Sequence, residues 1–140
     1  MFNSRRSDFV MKNKKIVIQI NKPIDEVFSF TLNPKNTPLW VDSVVFEETN
    51  EWPVKKGSIY RNKNKKEEWS IYKVTSFEKN KSFVFSQNDQ NYHVRYTFNP
   101  LPNNFCQVEY YEWVEKGNLT KPFTKKILKK LKKILEDQSK

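Results

Sequence analysis

The spacing of apolar positions changes period twice along the chain. In "KIVIQI" (Lys15–Ile20) β-branched residues alternate loosely with polar ones, a pattern that predicts a first strand. In the following "NKPIDEVFSFTL", Ile24, Val27, Phe28 and Thr31 recur at three-to-four spacing and predict a short helix ending near Leu32. Pro23 suits the first helical position, and Asp25 and Glu26 meet the positive end of the helix dipole in the first turn. Pro34 and Pro38 in "NPKNTPLW" limit any further helix to about one turn before Trp40.

From there to Glu115 the chain becomes a series of strand-like runs: "DSVVFEE", "GSIYRN", "EEWSIYKVTSF", "SFVFSQ", "NYHVRYTF" and "FCQVEYYEWVE". The intervening breaks are short and polar, so neighbouring strands should pair antiparallel in a six-stranded meander. The clearest alternation sets Tyr92, Val94, Tyr96 and Phe98 on one face and His93, Arg95, Thr97 and Asn99 on a wet one. "VEYYEWVE" is ambiguous. A bulge near Tyr110 and Tyr111 turns Val108, Tyr110 and Trp113 inward, whereas an unbroken register sends Glu112 into the interior as an acid.

The last segment returns to the helical period. On a wheel, Phe123, Ile127, Leu128, Leu131, Ile134 and Leu135 fall within an arc of about 140°, opposite Lys125, Lys126, Lys129, Lys130, Lys132 and Lys133. An aromatic sheet face needs a cover, and this apolar stripe supplies one.

Charge changes the picture little. The net charge of +10 sits in residues 1–15 and 118–140, while residues 16–117 balance to zero. A chain with 22 lysines, 15 asparagines and no alanine has the composition of an A/T-rich coding sequence, so basicity alone makes no strong case for nucleic acid. A weak contact of the lysine-rich helix with anionic surfaces remains as an expectation. The lone Cys106 cannot form an internal disulfide, which makes a reducing cytoplasm the default location. No run is long and apolar enough for a transmembrane segment. Residues 1–13 read as a disordered lead or a remnant of cloning, and residues 14–138 as a single ligand-binding domain.

This order of elements resembles the START-related, birch-pollen-allergen-like helix-grip superfamily (SRPBCC). Within it, the chain is similar to the bacterial polyketide cyclase/dehydrase and lipid-transport branch. The resemblance rests on "INKPIDEVFSFTLNPKNTPLW", on Gly57 in "VKKGSIYR", on "YKVTSFEKNKSFVF" and on "QVEYYEWVEKG" before the last helix. These are core and turn positions, so what they imply is an α+β helix-grip fold: a strand, two short helices and a six-stranded antiparallel meander curved around a long C-terminal helix. The resemblance also implies a cavity between sheet and helix that admits a hydrophobic or aromatic small molecule or a lipid.

The expected ligand-binding residues are Trp40, Trp69, Phe85, Tyr92, Tyr96, Phe98, Tyr110, Trp113, Ile127 and Leu131, drawn from an aromatic supply of 21 residues. Glu112 is the one weak catalytic candidate, for an aromatase/cyclase-like or lyase-like reaction in the same cavity. His93, the single histidine, falls on the solvent face of its strand. The sequence offers no metal-ligand cluster, no catalytic triad without His93 and no glycine-rich phosphate loop, and no cofactor is expected. A third reading is an interaction protein that docks its basic last helix on an acidic partner, RNA or anionic membrane.

Overall fold

The computed structural model describes residues 11–138. Its elements run β1 (Asn13–Ile20), α1 (Ile24–Leu32), α2 (Thr37–Trp40), β2 (Phe46–Thr49), β3 (Ile59–Lys63), β4 (Trp69–Glu78), β5 (Ser82–Gln87), β6 (Tyr92–Leu101), β7 (Phe105–Val114) and α3 (Lys125–Asp137). The seven strands form one antiparallel sheet in the order β1-β7-β6-β5-β4-β3-β2. The α+β helix-grip order expected from the sequence is therefore present: the meander runs from β2 to β7 and β1 closes on its far edge.

The lead expected over residues 1–13 falls mostly outside the described residues. Asn13 already opens β1, and the carbonyls of Lys12 and Met11 accept backbone hydrogen bonds from Val114 (3.0 Å) and Leu119 (2.7 Å). The turns use residues that tolerate a left-handed backbone, among them Asn80, Asn103 and Asn104. Gly57, at φ 99°, turns the chain into β3 in a conformation that a β-carbon would strain.

The β6–β7 register is continuous from Tyr92↔Val114 to Leu101↔Phe105. Of the two readings of "VEYYEWVE" the unbroken register is the one present: there is no bulge at Tyr110 and Tyr111, and a register shift lies instead between Val74 and Ser76 on β4. The phase of β7 then follows from its neighbours: Cys106, Val108, Tyr110 and Glu112 all point inward and are buried. Under α1, Phe28 meets Phe77, Phe83 and Phe98 edge-on, with centroids 5.2–5.8 Å apart, a geometry that aromatic quadrupoles favour.

The terminal stripe does what its periodicity demands. Leu128, Leu131 and Leu135 are fully buried and Ile127 and Ile134 partly so; each fully buried leucine stabilises the fold by roughly 1.5–3 kcal/mol. The helix lies mainly over β1 and α2. Lys130 reaches Asp42 at 2.6 Å, and Lys132 bonds both Glu136 (2.8 Å) and the Gln19 carbonyl (2.7 Å). The exposed Lys125, Lys126, Lys129 and Lys133 form the outer coat. Among the described residues no helix is long and apolar enough to cross a membrane.

Candidate functional site

Between the inner face of the sheet, the end of α1, α2 and the segment that leads into α3 lies a cavity of about 620 Å³. Its walls follow from the register row by row. On the β5–β7 side Phe83 pairs with Tyr96, Tyr96 with Tyr110, and Tyr110 with Ile16, so one inward row is aromatic and aliphatic across four strands. On the β2–β4 side Glu47 pairs with Asn62 and Asn62 with Ser70, and this inward row is wholly polar. The aromatic part of the lining is Trp40, Phe85, Tyr96, Tyr110 and Phe123, and the polar part includes Glu47, Asn62 and Ser70.

Glu112 sits behind the aromatic end. Its Oε1 accepts from the Tyr92 hydroxyl (2.5 Å) and the Tyr110 hydroxyl (2.9 Å), and its Oε2 accepts from the Phe123 backbone N–H (2.8 Å). The carboxylate is fully buried and is not part of the cavity wall. It ties the pre-helix segment to the sheet. Phe123 is held at its carbonyl too, by Lys14 Nζ at 2.6 Å, and its ring stacks on Tyr110 at a centroid distance of 4.4 Å and an interplanar angle of 2°. Trp40 meets the same ring edge-on at 6.3 Å.

The phenols around this carboxylate are not acids near neutral pH. Burial, reinforced by the Glu112 charge, pushes Tyr92 far above its ordinary value. Burial does the same for Tyr96 and Tyr110 and raises Tyr72 to about 12. They act as hydrogen-bonding groups with fixed protons. Tyr60 likewise spends its proton on the Leu32 carbonyl (2.7 Å). The Trp40 indole N–H is buried without a hydrogen-bond partner, which costs about 1–3 kcal/mol.

Glu47 is the carboxylate that does line the cavity. Thr37 Oγ1 donates to its Oε1 at 2.5 Å and Asn62 Nδ2 to its Oε2 at 3.0 Å. Burial holds its carboxyl above the ordinary 4.5, against the opposing pull of those two donors. No cation among the described residues contributes to that balance. A pattern reading of "DSVVFEE" misses Glu47 because the flanking Phe46 is the larger apolar residue and claims the inward phase. The signal was available across strands: Glu47, Asn62 and Ser70 share one row once the hairpins are paired.

Five of the ten expected ligand-binding residues line the cavity: Trp40, Phe85, Tyr92, Tyr96 and Tyr110. Three others, Phe98, Ile127 and Leu131, pack in the core and do not reach it. The cavity roof comes instead from Asn118–Phe123, the strap before α3. Trp69 and Trp113 are corrections of face. Trp69 stands on the outer surface against Phe46 with Arg61 over its ring at 4.5 Å, and Trp113, without the bulge, turns outward onto His93 and Tyr111.

His93 is on the outer face as its alternation requires, yet it is buried there rather than wet. The Trp113 ring stacks on it at 4.9 Å, its Nδ1 pairs with Ser86 Oγ at 2.7 Å, and its Nε2 faces the Gln90 carbonyl and Glu115 at 3.1 Å. It is remote from the cavity wall. Among the described residues no group of His, Cys, Asp or Glu is gathered to hold a metal ion. Burial raises the Cys106 thiol to about 11, which leaves it a packing residue.

Residues 13–138 match the family model described as polyketide cyclase / dehydrase and lipid transport. Among solved structures, the chain is similar to a START superfamily protein from Mycobacterium smegmatis (TM-score 0.71, 12% identity, 91% of this chain and 99% of that one). It is also similar to the protein XoxI from Bacillus cereus (TM-score 0.70, 13% identity, 93% and 99%) and to Ara h 8.0201 (TM-score 0.63, 11% identity, 89% and 97%). At these identities the likeness is one of fold. No curated protein matches.

Proposed function

Since this chain belongs to the polyketide cyclase/dehydrase and lipid-transport family, we propose that it sequesters or carries a hydrophobic or aromatic small molecule or lipid in its cavity. The observation that supports this reading is a space of about 620 Å³ against the rings of Trp40, Phe85, Tyr96, Tyr110 and Phe123. That volume suits a small organic ligand, and apolar walls with a few placed polar groups are the usual make-up of such sites. Transfer of an apolar body from water into it is favourable by about 0.8 kcal/mol per methylene. Entry would pass between the strap Asn118–Phe123 and the loop after α2, where the exposed Ser43, Asn118, Thr120 and Lys121 line the opening.

Glu112 is a poor general acid or base in this arrangement, since its two oxygens already take three hydrogen bonds behind the wall. An enzymatic reading would have to use Glu47 instead. The test is mass spectrometry of gently purified protein under native conditions, together with titration of a fluorescent fatty-acid methyl ester. The expected results are a co-purifying lipid-like or aromatic mass and a dissociation constant at or below about the micromolar level. Folded protein that carries nothing and binds no probe would end the proposal.

A further inference from the structure

The polar row on the inner face points to the chemistry of the ligand's head. Of the residues that line the cavity, only Glu47 and Lys121 carry a formal charge, and Lys121 is exposed at the rim. Glu47 lies inside with no basic partner among the described residues; its neighbours Thr37 and Asn62 each donate one hydrogen bond to it. A carboxylate has about four lone-pair positions, so roughly two remain for a ligand. Three of the five phenols that line the cavity add to this bias. The protons of Tyr60, Tyr92 and Tyr110 are committed to the Leu32 carbonyl and to Glu112, so toward the cavity these three oxygens accept only. A ligand carboxylate would meet Glu47 as a like charge, while a hydrogen-bond donor would complete it.

We infer that the cavity selects a ligand with an aromatic or apolar body and a protonated amine, the amine bonded to the Glu47 carboxylate and the body against Trp40, Phe85 and Tyr96. This rests on the cavity being a ligand site and names the class of ligand it takes. The geometry favours a cation over a neutral hydroxyl for a physical reason. A partly buried carboxylate without a counter-charge keeps an electrostatic cost that a cationic partner offsets, and an ammonium adds coulombic attraction to the hydrogen bond that a hydroxyl would also make.

The experiment compares tryptamine, tryptophol and indoleacetate, which share one ring and differ in the head, by isothermal titration at neutral pH. A fluorescent fatty-acid methyl ester, which carries no charge, serves as an independent probe of the cavity. Tryptamine should bind about tenfold or more tighter than tryptophol, with indoleacetate weakest, as one charge-assisted bond in a shielded site would give. Glu47→Gln should erase the tryptamine preference and leave tryptophol binding within about twofold, with an undiminished melting temperature showing that the fold is intact. Equal binding of tryptamine and tryptophol, or a preference that survives Glu47→Gln, overturns the amine assignment while the cavity reading stands. If none of the three binds and the uncharged methyl ester does not bind either, both fall.

Discussion

The two ends of the sheet obey opposite rules. From β5 to β1 the inner face is apolar and aromatic and the outer face polar, the arrangement that a half-covered antiparallel sheet is expected to have. Along one row from β2 to β4 the faces are exchanged: Glu47, Asn62 and Ser70 look inward, while Phe46, Trp69 and Ile71 stand exposed outside, although Tyr60 and Val74 further along β3 and β4 still pack in the core. The first end is supported by α1 and the α3 stripe, and its rings fill space. The second end has less covering it and borders the cavity, so its inner groups serve hydrogen bonding more than packing. The cavity thus lies where the aromatic core of the sheet meets its polar row.

Substitutions can break this contrast. The largest effect is expected at the packed end, where Phe83→Ala removes a fully buried ring that touches Phe28, Phe85, Tyr96 and Phe98. It should cost about 3–5 kcal/mol in denaturant unfolding. Next comes Glu112→Leu, which strips an acceptor from Tyr92, Tyr110 and the Phe123 N–H at once. A loss of about 3 kcal/mol is expected, and amide exchange at Phe123 should rise because the strap is no longer tied.

At the polar end Glu47→Gln should act in the other direction. Burial raises the Glu47 carboxyl above 4.5, so the native state holds this proton more tightly than the unfolded chain does. Its contribution is therefore most favourable at low pH and declines as pH rises through the shifted value. The variant should be level with the parent at about pH 4 and gain on it by about pH 7, read as the difference in melting temperature. A parent that gains on the variant over that range would mean that Glu47 is held ionised, not strained by burial.

Cavity occupation offers a test that leaves stability nearly alone. Val44→Trp adds a ring to the cavity wall from a loop, where the backbone can adjust. It should weaken binding of the fluorescent fatty-acid methyl ester by about tenfold or more. The smallest effect belongs to Trp69→Ser on the outer face. Trp69 is 46% exposed, and its loss should move unfolding by less than about 1 kcal/mol despite the Arg61 contact. A loss at Trp69 comparable to that at Phe83 would show that the outer apolar group is a packed element after all.

How much of this was legible depends on whether a strand's two residue sets differ. In β6 they do: Tyr92, Val94, Tyr96 and Phe98 against His93, Arg95, Thr97 and Asn99 leave one choice of inner face, and the structure agrees. In β7 one set is Val108, Tyr110, Glu112 and Val114 and the other Glu109, Tyr111, Trp113 and Glu115, each mixed, so hydrophobicity alone cannot choose the phase. A bulge that turned Trp113 inward was the hydrophobic solution. The fold instead buries a carboxylate and satisfies it with two phenols and a backbone N–H. In β2 and β4, Phe46, Trp69 and Ile71 have the composition of core residues and the address of surface ones.

What the sequence by itself determined is the order of elements, the antiparallel meander, the inner face of β6 and the buried stripe of α3. Each is written in local spacing, and local spacing is what a chain can express without its neighbours. Tertiary structure decided which face β7 and β2 present, that Glu47 joins Asn62 and Ser70 in one polar row, and that the strap before α3 roofs the cavity. Those outcomes hang on register, where a slip of one residue would exchange the two faces of a strand. Register is settled by pairing across the whole sheet, which no single run of residues contains.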